Sequence, residues 1–322
     1  MPLARTFALR ALVIVGVACA LTFPASSVAA APSPQEIERQ IRTLSAEMTR
    51  VVEEYNTANV RLGRIRAAAA EAAARLPAAQ AELDAATAEV GDLMARAYMT
   101  GEIGAVRALL DAGSANRLLD RAAALEQLTR IRNAQLAQAT AAQARAEEEK
   151  RRLDELLAAE TATQQTLAAK KAQIEKNLSR LYALREQAYG AARESASGQP
   201  APPPPPVSGA AGVAVRYAYA ALGKPYEWAA DGPDSYDCSG LTMAAWRAAG
   251  KSLSHSASIQ YRETARISRS QLQPGDLVFY NNLGHVAIYV GNGQVIHAPT
   301  FGEVVKLASV DMMPPYGYGR VR

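Results

Sequence analysis

The stretch Asp237-Cys238-Ser239-Gly240-Leu241-Thr242-Met243-Ala244-Ala245-Trp246 decides how the C-terminal third of this chain is read. Small polar residues that cap helices flank a cysteine, and an apolar run follows that Gly250 stops. The pattern predicts a helix over 238–249 with Cys238 in its first turn. Unpaired amides and the positive end of the helix dipole favour a thiolate there, so Cys238 is expected to ionise nearer neutral pH than a free thiol. An inert core cysteine is the bland reading, and the neighbouring histidines weigh against it.

A nucleophilic thiolate needs a proton carrier, and the chain holds three histidines, His255, His285 and His297. Downstream of the helix, residues 276–280, 285–290, 294–298, 304–308 and 318–321 read as short strands. Asn292-Gly293 is a hairpin signal between the second and third. His285 then opens a strand at the rim of a sheet, and His297 lies toward the same end of the partner strand. One can orient the other, as in a nucleophile–base–orienter triad. His297 also reads as a structural histidine, with water orienting His285. His255, in Ser254-His255-Ser256, reads as a cleft-edge or surface residue outside the triad. With a further helix over 213–222, closed by Gly223 and Pro225, helices precede an antiparallel sheet. That order implies an α+β domain.

Upstream, residues 195–212 contain five consecutive prolines, 202–206, between Gly/Ser-containing ends, and read as an extended linker. Before it, Ile37, Ile41, Leu44, Met48, Val51, Tyr55, Ala58, Leu62 and Ile65 begin an apolar seam of alternating threes and fours. The seam continues to Ala97 and predicts a coiled coil. Pro77 is expected to kink this helix. Gly101 is expected to end it, with a short amphipathic piece around Ile103, Val106, Leu109 and Leu110 and a new helix capped by Ser114. The simplest arrangement is an antiparallel hairpin over residues 31–194 with its tip near 99–116. The unadorned reading of such a rod is a spacer or dimerising element.

Residues 1–30 read as a secretory leader: Arg5 and Arg10, an apolar run over 11–23, Pro24, then small residues up to Ala30. A retained anchor is the other reading, although the run is shorter than the ~20 residues of a membrane span. Cleavage removes Cys19 and leaves Cys238 without an internal disulfide partner. Lys+Arg 35 against Asp+Glu 31 is too even a balance to point to nucleic acid.

Asp237-Cys238-Ser239-Gly240, Gly284-His285-Val286-Ala287-Ile288-Tyr289-Val290-Gly291 and Val295-Ile296-His297-Ala298-Pro299 together resemble the three catalytic segments of the NlpC/p60 family. Gly223-Lys224-Pro225-Tyr226 and Pro274-Gly275-Asp276-Leu277-Val278-Phe279 are similar to two further family motifs. The resemblance spans nearly all of 213–322. It implies a circularly permuted papain-like fold and a secreted cysteine D,L-endopeptidase of peptidoglycan stem peptides that cuts between γ-D-glutamate and the diamino acid. It makes Cys238 the nucleophile, His285 the base and acid, and His297 the polar third member, with no cofactor or metal. Tyr226 is implied beside the oxyanion, and Asp237 and Ser239 in the substrate cleft, although Asp237 and Ser239 read equally as caps and Tyr226 as packing. Trp228 is followed by Ala229-Ala230 where the family often has glycines, which puts the local loop in question. Two other readings are a wall-binding scaffold or regulator without catalysis, and a papain-like acyltransferase. The rod resembles coiled-coil segments of division-associated wall hydrolases that dock on the FtsEX transporter complex. That implies a membrane partner at Ile103, Val106, Leu109 and Leu110, and a peptidase restrained by the rod until docking.

Overall fold

The computed structural model describes residues 33–110, 115–190 and 202–322, with the backbone alone at 100–110 and 115–116. Helix α1 (Pro34–Leu110) and helix α2 (Ala115–Tyr189) form the rod. Ion pairs Arg66–Glu160, Arg75–Glu149 and Lys170–Glu54 join them with one number rising as the other falls, so the helices are antiparallel. The seam is buried at Ile37, Ile41, Leu44, Met48, Val51, Leu62 and Ile65. One expectation needs correction. Helix α1 passes through Gly101 to Leu110 instead of stopping, because glycine costs a long helix only about 1 kcal/mol. Pro77 lies inside that same helix, which continues beyond it. Ser114, the leader at 1–30 and residues 195–201 of the linker fall outside the described residues, as do the side chains of Ile103, Val106, Leu109 and Leu110. No helix among the described residues is long and apolar enough to cross a membrane.

The C-terminal domain begins with α3 (Gly209–Ala220), four residues before its expected start at Val213. Helix α4 (Cys238–Ala248) and helix α5 (Ala257–Glu263) follow. Strands β1 (Ala265–Ile267), β2 (Leu277–Tyr280), β3 (His285–Gly291), β4 (Gln294–His297), β5 (Lys306–Ser309) and β6 (Pro315–Arg320) form one antiparallel sheet in the order β1-β6-β2-β3-β4-β5. Asn292 and Gly293 both take positive φ, 51° and 70°, which is what a two-residue turn matching strand twist needs. Strand β2 alternates cleanly. Leu277 and Phe279 face the helical side, while Val278 and Tyr280 pack in a second cluster with Ala287, Val295 and Val310.

The larger cluster crosses the boundary between rod and domain. Met48, Val51 and Val52 of α1 and Ile174 and Leu181 of α2 are buried together with Leu241, Val286 and Ile288. The base of the rod and the helical face of the sheet therefore share one apolar core. Burial at this junction, rather than exposed ion pairs, holds the two together.

Candidate active site

Cys238 opens α4 as expected. Its N-cap, Asp237, has extended backbone and accepts a hydrogen bond from the Gly240 amide at 2.7 Å. The backbone amides of Ser239 in its own turn and of Val286 on β3 favour the ionised thiol, which ties the helix start electrostatically to the strand that carries His285. His285 Nε2 lies 2.9 Å from His297 Nδ1, with the rings nearly perpendicular at 84°. The antiparallel pairing of β3 and β4 produces this approach. Tyr226 is buried edge-on to Phe301, its ring centroid 4.9 Å away. All six residues singled out in the sequence thus lie around the start of α4 and the adjacent ends of β3 and β4.

The Asp237 carboxylate is wholly buried and heavily bonded. Oδ1 accepts from Gly240, from Ser239 Oγ at 3.2 Å and from His255 Nε2 at 2.8 Å. Oδ2 accepts from the Ala229 amide and from Asn56 Nδ2, each at 2.9 Å. Burial alone would raise its pKa, but the His255 charge and these donors together hold it below the usual carboxylate range. Ala229 reaches its place with φ 57°, so the loop after Trp228 forms a left-handed turn with alanine where the family often uses glycine.

The expected low thiol pKa is not found in this arrangement. Burial pushes the Cys238 thiol well above its ordinary range, and the Asp237 and Glu53 charges add to the effect. The two amides at the sulfur act in the expected direction but are outweighed. Burial likewise lowers His285 to about 4 and holds His297 well below the usual histidine range, with the His285 and Lys306 charges acting the same way on His297.

The cover is α1. Asn56 reaches Asp237 and, at 3.4 Å, Ser239 Oγ. Glu53 accepts from Ser256 Oγ at 2.5 Å and from the amides of Ala257 and Ser258, each at 2.9 Å. Tyr55 meets Trp228 edge-on at 5.0 Å. Cys238 is only 5% exposed beneath this contact. A cavity of about 440 Å³ opens beside Glu53 between the rod helices and Ser258, but Cys238 does not line it. Sequence reasoning missed Glu53, Asn56 and the carboxylate partner of His255. Asn56 and Glu53 lie beside the apolar seam as ordinary polar rod residues, and nothing local marks them. For His255 the signal was a polar Ser-His-Ser segment close to the nucleophile's helix.

Residues 223–316 match the NlpC/P60 family. The chain is 45% identical over 102 residues to a probable endopeptidase p60 of Listeria grayi, covering 31% of this chain and 19% of that protein. It is 38% identical over 102 residues to a probable endopeptidase of Mycobacterium tuberculosis, covering 31% and 26%. The chain thus spans about a fifth to a quarter of the length of these curated relatives. Among solved structures, the NlpC/p60 domain of the peptidoglycan hydrolase SagA is 36% identical, with 34% of this chain and 98% of that one covered and a TM-score of 0.33.

Proposed function

Because the chain belongs to the NlpC/P60 family through its C-terminal domain, we propose that it is a cell-wall cysteine peptidase acting on peptidoglycan stem peptides. The observation that carries this reading is the hydrogen bond between His285 and His297 beside a cysteine seated at a helix start. If His285 donates its Nε2 proton to His297 Nδ1, its Nδ1 remains free as a base. His297 then carries its own proton on Nε2, a buried atom with no partner among the described residues.

In the proposed reaction the Cys238 proton passes to His285, and the sulfur attacks the scissile carbonyl carbon. Backbone amides at the start of α4, with the Tyr226 hydroxyl, hold the oxyanion. As the C–N bond breaks, His285 returns the proton to the leaving amine. Water, deprotonated by His285, then attacks the thioester and frees Cys238. Asp237 and Ser239 line the cleft, and the bond cut is that between γ-D-glutamate and the diamino acid. Residues 1–30 act as a secretory leader, 195–208 as a linker, and the rod tip as the docking point for a membrane partner of the FtsEX type during division. The test is digestion of defined muropeptides by the full chain and by Cys238→Ala, read by mass spectrometry. Cleavage by wild type alone supports the reading, and equal cleavage by both refutes it.

One observation favours a second element of the reading. The cleft is covered by α1, so in this arrangement the peptidase is silent, and the rod restrains it until a partner engages the tip. Deleting residues 101–113 should then abolish recruitment to the division site. Unchanged localisation and activity would exclude the tip as the docking point.

A further inference from the structure

His255 stands outside the Cys238–His285–His297 set, yet its surroundings are built around it. The side chain is 18% exposed, and Nε2 donates to Asp237 Oδ1, the oxygen that also caps the first turn of α4. A Cβ on Gly240 would lie 2.9 Å from that same Nε2 and 2.1 Å from the carbonyl oxygen of Ala230, so the residue two places after the nucleophile must be glycine for the ring to approach. The charged groups facing the ring come from three directions. They are Asp237 before α4, Asp231 on the loop after Trp228, and Glu53 on α1. Glu263, at the far end of α5, is engaged by Ser254 and by Arg64 of the rod.

We propose that His255 is a positioning residue of the Cys238 site, whose imidazolium fixes the Asp237 cap and offsets the negative charge next to the thiol. Asp237 directly precedes Cys238, and an uncompensated carboxylate there opposes thiolate formation. Arg247 pairs with Asp231 at 2.8 Å and Arg64 with Glu263, and His255 is the cationic side chain bonded to Asp237 itself. Burial disfavours the charged ring, but the Asp237 charge and hydrogen bond outweigh burial and keep the ring protonated to higher pH than an ordinary histidine. This role rests on the reading of Cys238 as the nucleophile.

The test compares wild-type full chain with His255→Gln, which keeps a donor without charge, and His255→Arg, which keeps the charge at every pH. The rate of Cys238 alkylation by iodoacetamide is followed against pH by mass spectrometry of the Cys238 peptide. A change in how often α1 opens scales the rate without moving the thiol's own midpoint, so the series is repeated in the Glu53→Ala chain to separate the two. The Gln variant is expected to alkylate about tenfold more slowly at pH 7, the consequence of a midpoint raised by about one unit, and Arg to restore the wild-type midpoint. An unchanged midpoint in the Gln variant overturns the proposal, as does a raised midpoint that Arg fails to lower. Muropeptide cleavage by the same chains keeps the two readings apart. Shifted midpoints without cleavage by wild type would sink the peptidase reading and leave the His255–Asp237 coupling standing.

Discussion

Asn56 of the rod donates to Asp237 of the C-terminal domain across 181 residues of sequence, in a bond of 2.9 Å between buried groups. The contact is asymmetric in what it leaves behind. Without Asn56, Asp237 still accepts from Gly240, Ser239, His255 and Ala229, so the seat of Cys238 stays formed. A helix that covers a site without building it can be withdrawn without dismantling it.

Glu53 is the stronger hold. Replacing it with alanine strands the amides of Ala257 and Ser258 without an acceptor in the closed arrangement, whereas opening exposes them to water. We expect Glu53→Ala to raise the alkylation rate of Cys238 in the full chain about tenfold or more. Asn56→Ala should raise it less, and Glu53→Gln should lie between wild type and Glu53→Ala. Equal rates in all four chains would show that α1 does not gate the thiol.

The histidine pair predicts graded losses. His285→Ala removes the proton carrier and should lower muropeptide turnover by roughly 10²–10⁴-fold, the usual range for a general acid–base group. His297→Asn keeps a hydrogen-bonding partner on β4 and should fall less than His297→Leu, which leaves His285 Nε2 without a buried acceptor. Single-turnover rates on one muropeptide order the three variants. Equal loss in Asn and Leu would mean that His297 does not act through this bond.

Much of this site was legible in the chain because its parts obey local rules. Cys238 follows a capping residue, His285 and His297 begin and end strands joined by Asn292-Gly293, and the rod seam repeats by threes and fours. What escaped was nonlocal. Asn56 and Glu53 occupy rod positions whose partners depend on how the domain sits against the helix, and periodicity carries no such information. The high thiol pKa has a partly nonlocal origin, since the helix start predicts a low value and burial, with the Asp237 and Glu53 charges, reverses it. Helix α5 and strand β1 were missed as well. They are seven and three residues long, too short for a period to register.

Acid sensitivity follows from the buried histidines. His285 is lowered by burial to about 4, so between an unfolded-state value of about 6.5 and that figure the unfolded chain binds the extra proton. Stability supplied by the neutral ring is therefore full above about pH 6.5, falls as pH drops toward 4, and levels off below. The span corresponds to roughly 3 kcal/mol. His255 works the other way, because its raised pKa adds stability at low pH that is lost as pH rises through it. Urea unfolding between pH 4 and 7.5 should show His285→Gln flattening the acid side of the profile. An unaltered slope in that variant would mean that His285 is not held neutral in the fold.

One substitution at two glycines should give opposite signs. Gly91 lies within α1 with nothing inside 4 Å of an added Cβ, so Gly91→Ala gains helix propensity at no steric cost and should stabilise by up to about 1 kcal/mol. Gly240 also lies in a helix and gains the same propensity. Its Cβ, however, would meet the Ala230 oxygen at 2.1 Å, a backbone atom on the loop whose Ala229 amide bonds Asp237. Relieving that clash displaces the loop or the first turn of α4, and the cost of such overpacking, about 1–3 kcal/mol, exceeds the gain. Thermal melts of the two full-length variants should therefore shift in opposite directions. The Gly240→Ala chain should in addition alter Cys238 alkylation, because the strain falls on Ala230, whose carbonyl oxygen accepts from the Asp237 amide at 2.9 Å, and on His255, which bonds the Asp237 carboxylate. A Gly240→Ala chain as stable as wild type would mean that the loop yields freely, and that the close approach of His255 to α4 is not enforced by the fold.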